Sequence, residues 1–240
     1  MAIAVVQTST GYQVATNVGS VTTSLTPSSG GLLVAFLTIN NSTGPATMVD
    51  ANYTWVGVVT STVGAAGPFE AGWIFVTTAT ANTLVNATGT YGLNAGTGGR
   101  SRLNIVEMSG HNGYGVTTST ISTAAATLLA VNLVTTSSGM AILTGQHSNT
   151  LETNLPTTYS GLGSFSTGGP VIAFNWSYNT TLGGAGTYAI QWGANPGTSM
   201  DRRRITAIEI IPSVTVTFDY NLLEHRVQRG VGRGMMRGVA

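Results

Sequence analysis

Residues 31–40, GLLVAFLTIN, form an unbroken apolar and β-branched run, closed in by Ser-Ser-Gly before it and Asn-Asn-Ser-Thr-Gly after it. The turn-forming flanks and the Val, Phe, Thr and Ile content predict a central strand covered on both faces rather than a short core helix. Comparable runs recur at residues 103–108, 140–144, 171–174 and 205–211, each bounded by Gly, Ser, Thr, Asn or Pro. Residues 2–6, 12–18, 21–25 and 82–91 are Thr/Val-rich and alternate, as strands with one wet face do. Residues 187–192 add a further strand. Turn signals arrive about every 8 to 12 residues, the spacing of sandwiches and barrels. The best helical window, residues 124–130, sits among Thr and Val that favour strand.

The chain is therefore predicted to be all-β, a jelly-roll-like β-sandwich with an extended C-terminal arm. Its 240 residues suffice for one large sandwich with a real core. The sandwich is assigned to residues 1–212, with 1–20 as N-terminal strands or an arm, and the C-terminal arm to 213–240. Phe36, Trp55, Trp73, Ile105 and Trp192 are expected to anchor the core. The Gly-rich stretch 92–99 lacks the Gly-Lys-Ser/Thr ending of a phosphate loop and is expected to be a hairpin loop.

Only 7% of residues are charged, against about 25% in an ordinary soluble domain. Gly, Ser, Thr, Asn and Ala replace the usual Lys and Glu, so the surface is expected to be rich in hydroxyls and amides. Lys is absent, and with no Cys neither a disulfide framework nor a thiolate metal site is available. Hydrophobic residues, at 42%, sit in strand-length blocks, which excludes disorder of the whole chain. No apolar stretch approaches the roughly 20 residues of a membrane helix, and the N-terminus lacks a basic n-region. Neither a membrane partner nor a secretory signal is expected.

The histidines His111, His147 and His225 have no metal-ligand spacing, so no metal and no cofactor is expected. Ser109-Gly110-His111 places a hydroxyl near a base, but strand neighbours point to opposite faces and no G-x-S-x-G elbow is present. Paired carboxylates would have to come from Asp50, Glu70, Glu107, Glu152 and Glu209. Glu107 and Glu209 lie inside apolar strands and are expected to meet Arg102, Arg202, Arg203 or Arg204 across the sheet. No catalytic residue is assigned. Tyr114, Tyr159, Trp176 and Tyr178 lie in or beside predicted loops, where their rings would serve as stacking contacts for a glycan.

The basic character is confined to the C-terminus. Residues 1–199 hold two Arg against four acids, 200–219 three of each, and 220–240 four Arg and one Glu. Arg226, Arg229, Arg233 and Arg237 recur every three to four residues with glycines between them, and Met235 and Met236 add apolar anchors. An adaptable backbone carrying planar guanidinium forks suits acidic or backbone acceptors, so these residues are expected to hold the arm on another copy or another protein. Nucleic acid is a poor match, because four charges bind weakly and no aromatic is interleaved for stacking.

Taken in order, SSGGLLVAFLTINN, MVDANYTWVGV, AGWIFVTTATANTLVNATGTY, RLNIVEMSG, SGMAILTGQH and RRRITAIEIIP resemble the jelly-roll-like β-sandwich modules of tailed-phage structural proteins and some bacterial surface proteins. The resemblance covers residues 21–212. It implies a non-enzymatic virion protein on the particle exterior, of decoration, fibre or adhesion type. Its partners would be its own copies and other capsid or tail proteins. A carbohydrate-binding receptor or fibre module is the second expectation, with a host surface glycan as partner, and a glycoside hydrolase the third.

Overall fold

The computed structural model describes residues 2–15, 19–40, 45–61, 70–92, 99–122, 128–148, 156, 158–166, 173–193 and 203–214. These contain no helix. The strands of the first half are β1 (Ala4–Ala15), β2 (Ser20–Leu25), β3 (Leu32–Asn40), β4 (Thr47–Val49), β5 (Val56–Ser61), β6 (Glu70–Thr78), β7 (Val85–Thr90) and β8 (Gly99–Ser109). Those of the second are β9 (His111–Ser122), β10 (Leu128–Val134), β11 (Ala141–Ser148), β12 (Ser160–Ser166), β13 (Ala173–Asn179), β14 (Thr187–Gly193) and β15 (Arg203–Pro212). All pairings are antiparallel.

The strands form four sheets. A five-stranded sheet runs β1-β8-β3-β6-β5, and a second runs β12-β13-β11-β15-β9. A three-stranded sheet, β2-β7-β4, and a two-stranded pair, β10-β14, complete the set. The apolar clusters stack them as layers. Leu32, Val34 and Phe36 of β3 meet Ala141 and Leu143 of β11, Trp176 of β13, and Ile208 and Ile210 of β15, which joins the two five-stranded sheets. The other face of β3, with Leu33, Ala35, Leu37 and Ile39, packs with Val21, Leu25, Val85 and Ala87 of the three-stranded sheet. Ile142, Ile205 and Ala207 pack with Leu133, Ile190 and Trp192 of the outer pair.

This layering explains the run at 31–40. A strand inside a sheet that is covered on both sides has no wet face, so its apolar residues need not alternate with polar ones. β3 takes the middle place in its sheet, as the sequence predicts, and β11 the middle place in the other. Phe36, Trp73, Ile105 and Trp192 are buried as expected, while Trp55 is half-buried at the margin of its cluster. Residues 128–134 of the ambiguous window region form a strand.

Two local expectations change. The segments predicted at 2–6 and 12–18 are parts of one long strand, β1, paired with β8 from Ala4 to Ala15, so this stretch is integral to the sheet, and residues 16–18 lie outside the described residues. Gly11 allows it: a Cβ there would sit 2.1 Å from the Thr22 carbonyl oxygen, where β1 presses against β2. Gln7 Nε2 donates to Thr26 O at 2.7 Å and Ser9 Oγ to Ser24 O at 2.6 Å along the same edge. The stretch 92–99 is not a hairpin loop, because β7 pairs with β2 and β4 whereas β8 pairs with β1 and β3. It carries the chain from an outer sheet to an inner one.

The two halves repeat one plan. Read from its other end, the second five-stranded sheet is β9-β15-β11-β13-β12, which matches β1-β8-β3-β6-β5 strand for strand in chain order. The outer pair β10-β14 matches β2-β7. Register irregularities recur as well, opposite Glu107 and around Glu209 in one position, and at Gly57/Val59 and Gly161/Gly163 in the other.

Candidate functional site

The carboxylates are the natural place to look for chemistry in a chain with so few charges. Glu107 and Glu209 are both fully buried. Glu107 Oε1 accepts the Ser28 N–H at 2.8 Å, and its Oε2 accepts Gln7 Nε2 at 2.5 Å. Glu209 Oε1 accepts the N–H groups of Thr136 at 3.1 Å and Ser137 at 3.0 Å, and its Oε2 accepts Val116 N–H at 3.1 Å. Each therefore clasps the loop that leads into the central strand of its own half. The space is made by glycine: a Cβ on Gly31 would lie 2.7 Å from Glu107 Oε1, and one on Gly115 2.2 Å from Glu209 Oε2.

Of the expected arginine partners, Arg102 and Arg204 reach toward the opposite five-stranded sheet instead, and Arg202 and the side chain of Arg203 lie outside the described residues. Main-chain N–H groups, the donors most available where a loop turns tightly over a strand, hold Glu209, and Glu107 is shared between one such group and the Gln7 amide. Arg102 points the other way, toward the second five-stranded sheet, with its guanidinium carbon 4.9 Å from the centroid of the Trp176 ring. Burial pushes the Arg102 guanidinium down to about 10, partly offset by Tyr12 on the neighbouring strand. A guanidinium over an aromatic face retains electrostatic stabilisation in such a place.

Glu107 and Glu209 do not form a catalytic pair. Glu107 shares the strand face of Leu103 and Ile105, toward the three-stranded sheet, and Glu209 shares that of Ile205 and Ala207, toward the outer pair. Two stacked sheets lie between them, and face-to-face sheets are about 10 Å apart. The third carboxylate, Asp50, is engaged in a turn, with Oδ1 accepting Asn52 N–H at 2.7 Å and Tyr53 N–H at 3.1 Å, and Oδ2 accepting Asn86 N–H at 2.7 Å. Glu152 and the side chain of Glu70 lie outside the described residues. His111 opens β9: its Nδ1 accepts Gly113 N–H at 3.0 Å, so Nε2 carries the proton and donates to Gly30 O at 2.9 Å. Among the described residues no group of three or more His, Cys, Asp or Glu could hold a metal ion.

The four aromatic residues read as glycan contacts do not form one exposed surface, although Trp176 and Tyr178 share a cluster. Trp176 is fully buried between the five-stranded sheets and offers no ring face to a sugar. Tyr178 packs half-buried at that same interface, whereas Tyr159 packs against the cluster under the outer pair. Tyr114, on β9, is 37% exposed. Alternation hides this from a linear reading, since Trp176 lies between Asn175 and Ser177 and looks polar in context. The arm residues Arg226, Arg229, Arg233, Met235, Met236 and Arg237 lie outside the described residues.

Among the described residues the strands of the two outer faces carry no charge. On the three-stranded sheet, Ser20, Thr90 and Thr47 stand side by side, then Thr22, Thr88 and Val49, then Ser24 and Asn86. The Thr22 and Thr88 hydroxyls are 2.8 Å apart in a hydrogen bond. On the outer pair, Ala130 stands beside Gln191, Asn132 beside Ala189, and Val134 beside Thr187. This is the hydroxyl and amide surface that the composition implies.

The sheets differ in one respect that the sequence reading missed. Facing the outer pair, Thr144, Gln146, Asn175 and Ser177 are buried polar residues. Gln146 Oε1 accepts Asn175 Nδ2 at 3.0 Å, and Thr144 Oγ1 accepts Trp192 Nε1 at 3.3 Å. The matching places in the first half hold Ala35, Leu37, Trp73 and Phe75. Polar residues alternating with apolar ones in residues 141–148 were the available signal, and it reads equally well as an ordinary half-wet strand.

Tyrosine ionisation gives a direct check on burial. Burial raises the Tyr91 phenol despite its hydrogen bond to Ser101, and burial raises Tyr159 further, with Tyr188 adding to it. A phenol raised in the folded state stabilises the fold fully below its unfolded value, near 10, and that contribution is lost as pH climbs through the folded value. Burial raises the Tyr12 phenol too, against the pull of Arg100 and Arg102, so absorbance titration at 295 nm should show Tyr12, Tyr91 and Tyr159 titrating late. Tyr91→Phe should remove one of them, and Tyr91 and Tyr159 titrating with the exposed set would contradict the packing.

No family model, curated protein or solved structure matches this chain.

Proposed function

We propose that this chain is a non-enzymatic structural protein of a tailed-phage particle, carried on the exterior, where it decorates or cements the capsid or attaches at the tail. The observation that carries the reading is the disposition of charge. The buried acids Glu107 and Glu209 tie loops to strands, and the described strand residues of the two outer faces present hydroxyl, amide and small apolar groups. Such a body is suited to close packing in a repeating assembly, where uncharged faces meet without desolvating ions. Attachment is assigned to the C-terminal arginines together with Met235 and Met236, which would dock on another copy or on a neighbouring virion protein.

The test is deletion of residues 226–240 with two readouts, melting and incorporation into particles. The proposal requires an almost unchanged melting curve and a sharp loss of incorporation. Normal incorporation would make the arm a passenger. Failure of the intact chain to sediment with particles, together with selective binding on a glycan array, would replace the proposal with a receptor-binding module.

A further inference from the structure

We infer that residues 4–109 and 111–212 are two copies of one sandwich, and that their facing five-stranded sheets form a two-fold recognition surface on which each copy is the other's partner. Shared strand order alone would leave open how the copies meet. The side chains settle the geometry.

Equivalent places can be read from the strand registers. In the first half Phe36 stands opposite Ile74 on β6 and Asn104 on β8. In the second, Gly145 stands opposite Trp176 on β13 and Thr206 on β15. Phe36 thus corresponds to Gly145, β6 to β13 and β8 to β15, and continuing along the last pair of strands aligns Arg102 with Arg204 and Glu107 with Glu209. The loops agree: Ser28-Ser29-Gly30 and Ser137-Ser138-Gly139 precede the two central strands, with Gly30 at φ 82° and Gly139 at φ 66°. Each loop is clasped by the glutamate of its own half.

Side chains reach across the interface in both directions between equivalent strands, as a two-fold requires and a translation does not, with the backbones closer at the β6–β15 corner than at the β8–β13 corner. Arg102 reaches over to Trp176 on β13. Arg204 reaches back to β6, where a Cβ added to Gly72 would meet its Cδ at 3.1 Å. The equivalent residues Phe36 and Gly145 touch each other: a Cβ on Gly145 would lie 3.0 Å from Phe36 Cδ1 and 3.1 Å from Trp176 Cδ1. Equivalent positions meet only at the axis. Two phenylalanines would collide there and two glycines would leave a void, so the pair is one large and one small residue. That choice commits each face to the other copy over a second copy of itself. The inference is independent of any role on a particle.

Two experiments on the full chain test it. A protease site inserted after Asn112, an exposed position beside Gly113 where nothing crowds the backbone, allows the folded protein to be cut between the copies. The cut protein should run at its intact size in native buffer, come apart in denaturant, and re-form one-to-one pairs when the denaturant is removed. Fragments that separate in native buffer would overturn the recognition surface. The second experiment uses the axis. Gly145→Phe should lower Tm by roughly 5–10 °C through overpacking, and adding Phe36→Gly should recover most of that loss, because the exchange leaves one large and one small residue in place. A double variant no more stable than Gly145→Phe alone would overturn the two-fold.

Discussion

Phe36→Ala should cost about 3–5 kcal/mol of stability, toward the upper end of that range. Phe36 is fully buried in the middle of the interface between the five-stranded sheets, and the facing position is Gly145, which has no side chain to move into a vacated space. Collapse of the surroundings is what makes some core truncations mild, and here both flanking sheets are held by ladders on either side. Chemical denaturation should show the loss in the midpoint. An unchanged midpoint would mean that the two five-stranded sheets are not packed on this ring.

Glu209→Ala is the other substitution with a large expected effect, about 3 kcal/mol or more, since it leaves the N–H groups of Val116, Thr136 and Ser137 without their acceptor. The amide variant separates this from a mere loss of volume. In Glu209→Gln one end of the side chain becomes a donor facing other donors, so it should recover little. Glu107→Gln should be milder, because the partner of Glu107 Oε2 is the amide of Gln7, a side chain able to reorient. Equal effects of Gln at both positions, measured by denaturation, would contradict the assigned hydrogen bonds.

Much of the architecture is legible in the residues. The bounded apolar runs locate β3, β8, β11 and β15, because a strand covered on both faces leaves an uninterrupted run that no wet strand shows. Their arrangement is less accessible. An apolar run states that both faces are covered but not by what, so four stacked sheets and one sandwich read alike. The repeated plan also has marks in the chain, namely Ser-Ser-Gly before each central strand and Arg five places before Glu on each last strand. They are few, and the intervening segments diverge, with Leu37, Trp73 and Phe75 in one half against Gln146, Asn175 and Ser177 in the other.

The candidate site is less legible than the fold, for a physical reason. Opposite charges on neighbouring strands invite pairing of Glu107 and Glu209 with arginine, but the direction of a side chain alternates, and Arg102 lies on the face of β8 opposite to Glu107. The nearest unsatisfied donors on the correct face belong to the main chain of a loop that is distant in sequence. Trp176 misleads similarly, since a tryptophan flanked by Asn and Ser looks like a surface ring until the sheet that covers it is known.

The clasps also set an order of events during synthesis. Ser28 cannot find Glu107 until the last strand of the first half has left the ribosome, and Ser137 waits in the same way for Glu209. Chains emerge at about 5–20 residues per second and fold N-terminal part first, so the first half can close its clasp while the second is still being made. During that interval, which lasts several seconds at this rate, Leu32, Val34, Phe36 and Val106 face water with nothing to cover them. A first half that folds in that interval carries a bare apolar face, and crowded polysomes, where neighbouring chains would expose the same face together, are where pairing with the wrong copy is favoured.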